Sequence, residues 1–221
     1  MPDKKTVFIN IATEPQPSWE DLIRLLDEFK TGDGVNVEIT GKDFLSYPRL
    51  PDLVKEIINR GMSPTAKVII TADNYKNLSD IVLFLKDKGV SAILFSQVTF
   101  PVISSENYSL LTPTKDMLPY LLNAIQVSRT EGLAYYLENL PLCILPGEEN
   151  NFILGGSPGI KMQFCLDCEL NHRCGGITKA QLVAQYGTQL LSWQFLFPKD
   201  FFTEQDIAFL DKELLRSADK T

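Results

Sequence analysis

The chain has 221 residues, 44% of them hydrophobic, enough to bury a sizeable core, so neither disulfides nor metal are needed merely to fold it. Its formal net charge of -7 sets it against phosphate backbones, which excludes nucleic-acid binding through a basic surface. A charged start, Met1-Pro2-Asp3-Lys4-Lys5, and the lack of any long apolar run predict a cytoplasmic protein with no membrane span, in a compartment that keeps thiols reduced.

Thr6–Ala12 is β-branched and apolar and predicts a strand. Pro15 and Pro17 end it, and Ser18, with Asp21 three residues on, predicts a capped helix carrying Leu22, Leu25, Leu26 and Phe29. Gly32 and Gly34 precede the second strand, Val35–Thr40. They form a turn and not a dinucleotide fingerprint, which would follow a strand. A helical stripe at Leu50, Leu53, Val54, Ile57 and Ile58 stops at Gly61. Strand Ala66–Thr71, a helix through Leu78, Ile81, Val82 and Leu85, and strand Ser91–Phe95 follow. Val98–Leu111 is less regular. A long helix is expected after Pro113-Thr114, with Pro119 in its first turn, and Leu133–Leu137 reads as a fifth strand.

This alternation predicts an α/β fold, a partial parallel (β/α) barrel of about five or six strands, over residues 1–140. Residues 141–221 form a second, cysteine-rich segment whose Gly/Pro clusters at 146–147 and 155–159 predict a loop. Helices are expected over Thr178–Leu191 and Thr203–Leu215, the latter capped by Thr203. The aromatic run Trp193–Phe197, with Phe201 and Phe202, is expected to bury against the sheet.

Every cysteine lies in this second segment: Cys143, Cys165, Cys168 and Cys174, spaced C-x21-C-x2-C-x5-C. The C-x2-C pair puts two thiolates on one tight turn. Gly175-Gly176 returns the chain after Cys174 without a Cβ in the way, and Cys143 follows the fifth strand at the end where β/α barrels keep their functional groups. These four are the predicted metal ligands. Structural zinc usually takes two short knuckles, and only one is present, so the uneven spacing favours a [4Fe-4S] cluster over zinc, with zinc retained as the alternative. His172 is expected to be an exposed loop residue. Glu14, Glu38, Asp43, Asp73 and Glu138 lie on or just after predicted strands, and none is assigned a catalytic role.

At these residues the chain resembles the radical S-adenosylmethionine superfamily, in the branch with extra C-terminal cluster ligands. The resemblance is carried by three stretches: Leu137–Gly147 around Cys143, the Cys165–Gly176 tail with Tyr186-Gly187 after it, and Val37–Leu53. Val68–Thr71 with Asn74 adds to it more weakly. The resemblance implies a partial barrel with an auxiliary iron–sulfur cluster. The superfamily's C-x3-C-x2-C loop after the first strand is missing, since no cysteine precedes Cys143, and the family's Gly-Gly-Glu loop reads Gly41-Lys42-Asp43. The implied protein is a degenerate member without radical chemistry of its own. It would serve as an accessory, electron-transfer or substrate-presenting subunit beside a partner protein, an active enzyme being the first candidate. Two readings stand against it: a zinc-braced β/α binding module with no redox role, and an enzyme that uses the barrel mouth without S-adenosylmethionine.

Overall fold

A computed structural model describes residues 5–11, 16–29, 34–41, 44–153, 159–187, 189–190, 197 and 201–218. Five strands, β1 (Thr6–Asn10), β2 (Asn36–Thr40), β3 (Ser63–Ile70), β4 (Ala92–Gln97) and β5 (Ala134–Glu138), form one sheet in sequential order. Where the registers are given they are parallel, Phe8 opposite Glu38 and Glu38 opposite Thr65. The connecting helices are α1 (Trp19–Glu28), α2 (Leu50–Asn59), α3 (Leu78–Asp87), a single turn α4 (Ser105–Tyr108), and α5 (Thr114–Thr130). Helices α6 (Lys179–Tyr186) and α7 (Glu204–Ala218) follow the sheet. This is the α/β architecture of a partial parallel barrel. No helix among the described residues is long and apolar enough to cross a membrane.

The burial of each strand follows its place in the sheet. Strand β4 lies inside and is buried at all six positions, the mark of a parallel strand covered on both faces. The edge strands β1 and β5 alternate buried and exposed positions, with Val7 and Ile9 turned inward and Phe8 outward. Ser18 caps α1 as predicted, accepting the Asp21 N–H at 3.1 Å. Pro119 falls in the second turn of α5 and not the first, so the Lys115 carbonyl has no N–H four residues on. Ala12, Gly32 and the helix end at Leu191 lie outside the described residues.

The chain separates into two compact units. The first comprises residues 1–69, 77–95 and 122–136, and the second comprises 70–76, 96–121 and 137–221. In the first, Val37, Ile39, Leu53, Val54 and Ile57 are fully buried. The second has a core of its own, in which Phe197 and Phe202 pack with Ile103, Ile160, Leu182, Val183, Leu190 and Leu210. These aromatic rings therefore bury among the C-terminal helices and loops, where burial against the sheet was expected. Phe197 and Phe202 meet edge-on at 5.2 Å. Trp193–Leu196 lie outside the described residues.

One carboxylate ties this second core together. Asp206, 0% exposed, accepts the Ile103 N–H at 2.6 Å, the Lys179 ammonium at 2.7 Å, and the Thr203 N–H and hydroxyl, both at 2.7 Å, while Thr203 caps α7 by accepting the Asp206 N–H at 3.2 Å. Burial alone would push the Asp206 carboxyl up. The N–H of Ile103, the Lys179 ammonium and the Thr203 donors outweigh it and hold the carboxyl below its ordinary value. A depressed folded value makes this a stabilising contribution that is complete above the unfolded carboxyl range, about pH 4, and drains away as pH falls through the folded value. Asp206→Asn should cost about 3–5 kcal/mol at neutral pH, because it leaves the Lys179 ammonium buried without its counter-charge. In urea denaturation the gap between wild type and variant should narrow on acidification below about pH 4.

Candidate metal centre

Strand β5 ends at Glu138, and the chain turns at Asn139, which sits at φ 58° and donates to the Ser96 hydroxyl at 2.9 Å. Ser96 in turn donates to Glu138 at 2.8 Å. Gln181, buried on α6, donates to Gln97 at 2.7 Å and to the Asn139 carbonyl at 3.0 Å. The end of β5 is thus fastened by polar bonds that a buried backbone turn requires. A 3-10 turn, Leu142–Ile144, follows. Leu142 and Leu145 are buried on either side of it, and the Cys143 side chain is left exposed.

The other three cysteines ride on one loop. Ile160 and Ile177 close it through an antiparallel bridge with N–H···O distances of 2.9 and 2.8 Å. Inside the loop Cys165 N–H bonds to Met162, Cys168 N–H to the Cys165 carbonyl, and Cys174 N–H to Leu170, at 2.8, 3.2 and 2.9 Å. The Gly176 N–H points at the Cys174 sulfur, 3.4 Å away. A Cβ on Gly176 would lie 2.4 Å from the Ile160 carbonyl oxygen, and its φ is +85°. Of the two glycines after Cys174 it is therefore Gly176 that the close approach requires, whereas Gly175 faces open space.

All four cysteines are free thiols, and all four line a single cavity of about 220 Å³ together with Pro141, Ile144, Lys161, Leu170, Asn171 and Ile177. Although Cys143 as a residue is exposed, it lines the cavity, and partial loss of hydration there first, then Cys174, Cys168 and Cys165, push its thiol above its usual value. Among the described residues no three His, Cys, Asp or Glu side chains meet at a point fit for one metal ion. The donor set and the cavity fit a polynuclear thiolate-bound group. Asn171 and Lys161 carry no sequence signal. The Asn171 Oδ1 is buried with no hydrogen-bond partner, and the Lys161 ammonium donates to the Asn171 carbonyl at 2.5 Å. His172 is exposed, as expected of a loop residue, and does not line the cavity.

The acidic residues expected near the strand ends are in differing surroundings where described. Glu38 is 8% exposed and lies 3.9 Å from the Lys67 ammonium, Glu138 accepts from Ser96, and the Asp73 N–H donates to Thr71. Glu14 and Asp43, with Lys42 of the Gly41-Lys42-Asp43 stretch, lie outside the described residues.

No protein-family model matches the chain, and no curated protein matches it in sequence. Among solved structures, Streptococcus suis SuiB bound to S-adenosylmethionine aligns over 82% of this chain and 57% of its own, with a TM-score of 0.51 at 13% identity. A β-arabinopyranosidase aligns over 84% of this chain and 27% of its own at 12% identity, with a TM-score of 0.45. A Bombyx mori aldo-keto reductase in complex with NADP aligns over 62% and 47% at 16% identity, with a TM-score of 0.37. The chain thus spans little more than half the length of SuiB. What it shares with SuiB is the fold.

Gly176→Ala should disrupt the loop closure, costing more than about 1 kcal/mol from the positive φ alone. Limited proteolysis should then cut within 159–177 while the first unit resists, and a variant as resistant as wild type would contradict the assigned role.

Proposed function

We propose that the chain is an iron–sulfur protein of the degenerate radical S-adenosylmethionine type, holding one [4Fe-4S] cluster through Cys143, Cys165, Cys168 and Cys174. The observation that carries the reading is that every cysteine of the protein lines one cavity. Cysteines kept for packing would be scattered and buried, not assembled. The fold shared with SuiB, a protein whose structure holds S-adenosylmethionine, supports the same reading.

The reaction class follows from the donor count. Radical generation needs a cluster with an iron left open by a three-thiolate loop, and the sequence before Cys143 has no cysteine with which to build one. Four thiolates fill the ligand positions of one cluster and favour electron transfer or bracing over Lewis-acid chemistry. The chain then acts as an accessory, electron-transfer or substrate-presenting subunit beside a protein partner, an active enzyme being the first candidate. It works in the cytoplasm, where four thiols stay reduced.

Anaerobic reconstitution with iron and sulfide should give a broad absorption band near about 400 nm and about four irons per chain. A colourless protein with about one zinc per chain would replace this reading with the zinc-braced module. Reduced by dithionite, the loaded protein should form no 5′-deoxyadenosine from S-adenosylmethionine, and its formation would overturn the accessory role.

A further inference from the structure

We propose that Cys143 is the releasable ligand of this centre, and that the iron it caps is the position where the cluster exchanges a protein thiolate for a small thiolate from solution. The inference rests on the cluster reading above and identifies which corner of the cluster is labile.

Three ligands are fixed with respect to one another by a single short loop. Its ends are joined by the Ile160–Ile177 bridge, and its turns are set by backbone bonds at Cys165, Cys168, Asn171 and Cys174. These ties are local to the loop, so the three-thiolate set keeps its arrangement when Cys143 moves away. Cys143 belongs to another segment, held by the 3-10 turn bonds Ile144 N–H to Pro141 and Leu145 N–H to Leu142, at 3.2 and 3.4 Å. Between that segment and the loop, Arg173 reaches the Glu149 carbonyl at 3.4 Å, near the limit for a hydrogen bond. The Cys143 side chain is exposed, whereas Cys165, Cys168 and Cys174 are half-buried. Solvent, oxidant and competing ligands therefore reach the Cys143 corner first, and three thiolates remain behind when it opens.

In the exchange, the bond from iron to Cys143 Sγ breaks as an added thiol binds that iron through its sulfur. The thiol's proton passes to Cys143 with no electron moved, and oxidative release of the iron is a second route to the same freed thiol. A [4Fe-4S]2+ cluster gives [3Fe-4S]+, one Fe2+ and one electron, the electron passing to an added one-electron oxidant such as ferricyanide. The freed Cys143 thiolate then displaces iodide from iodoacetamide to form a carbamidomethyl thioether.

Reconstituted wild-type protein treated with one equivalent of ferricyanide and then iodoacetamide should fall from about four irons to about three. Peptide mapping should find Cys143 alkylated at least about 10-fold faster than the other three thiols. Even labelling of all four, or earlier labelling of Cys165, Cys168 or Cys174, would overturn the inference. As a second arm, Cys143→Gly should hold about three irons, rising to about four with 2-mercaptoethanol, while Cys168→Gly holds no cluster in either condition. Equal loss of iron in both variants, with or without the thiol, would also overturn it. Wild-type protein that takes up no cluster removes the underlying functional reading instead, an outcome distinct from the other two.

Discussion

Four thiols brought onto one cavity become mutually repulsive as soon as they ionise, and the C-terminal unit is built around tolerating that. The upward push on the Cys143 thiol registers it, because burial and the three neighbouring sulfurs all work against its thiolate. A protein that gained nothing from such a gathering would let the side chains diverge. Here the backbone prevents it. The Ile160–Ile177 bridge closes the loop, and Gly159 and Gly176 permit that closure, since a Cβ on either would run into the backbone of the facing segment. The gathering of the thiols is thus held in place by hydrogen bonds and a steric necessity, and a bound cationic group would offset the repulsion that appears when they ionise.

The helices after the loop give this arrangement its foundation. Thr178 caps α6 with a reciprocal bond to Gln181, and Gln181 reaches across to the Asn139 carbonyl at the end of β5, near the start of the Cys143 segment. Lys179, the first residue of α6, is fixed by Asp206, which also holds the Ile103 N–H and accepts from Thr203, the cap of α7. The two segments that supply ligands are therefore referenced to the same helix within one unit. A fully satisfied buried carboxylate is costly to disturb, and this one joins α6, α7 and the Ile103 loop at a single point.

Local chemistry was legible in the sequence and long-range pairing was not. The five strands follow from β-branched runs, and Ser18 and Thr203 from cap residues preceding helical stripes. The convergence of Cys165, Cys168 and Cys174 follows from their closeness along the chain, and Cys143 was reachable only because it trails a strand end. Asp206 was missed because its partners Ile103 and Lys179 are 103 and 27 residues away, and an aspartate in a helix's first turn looks like an ordinary cap. Asn171 and Lys161 were missed for a similar reason, being polar loop residues that meet only where the bridge closes the loop. The aromatic run was read as sheet-packing because its density signals burial without naming the partner, and Phe197 and Phe202 instead complete the second unit's core.

A cluster held by these cysteines alone would be an unusual possession for a chain of this kind. With no cysteine before Cys143, nothing in the sequence provides a second iron centre for it to exchange electrons with. On the proposed reading, an electron entering at the exposed Cys143 corner is exchanged with a centre outside these residues, a protein partner being the first candidate. The knuckle adds to this: Leu166, between Cys165 and Cys168, is 72% exposed, placing a large apolar side chain in water beside two ligands. A solitary exposed leucine is ordinary on a protein surface. Beside a redox centre, though, it is positioned to exclude water when another surface closes over the cluster, and small, partly apolar contacts are the kind that transient electron-transfer complexes use. The same closure would cover Leu166 and shield the cysteine cavity, so partner binding and protection of the cluster would be one event.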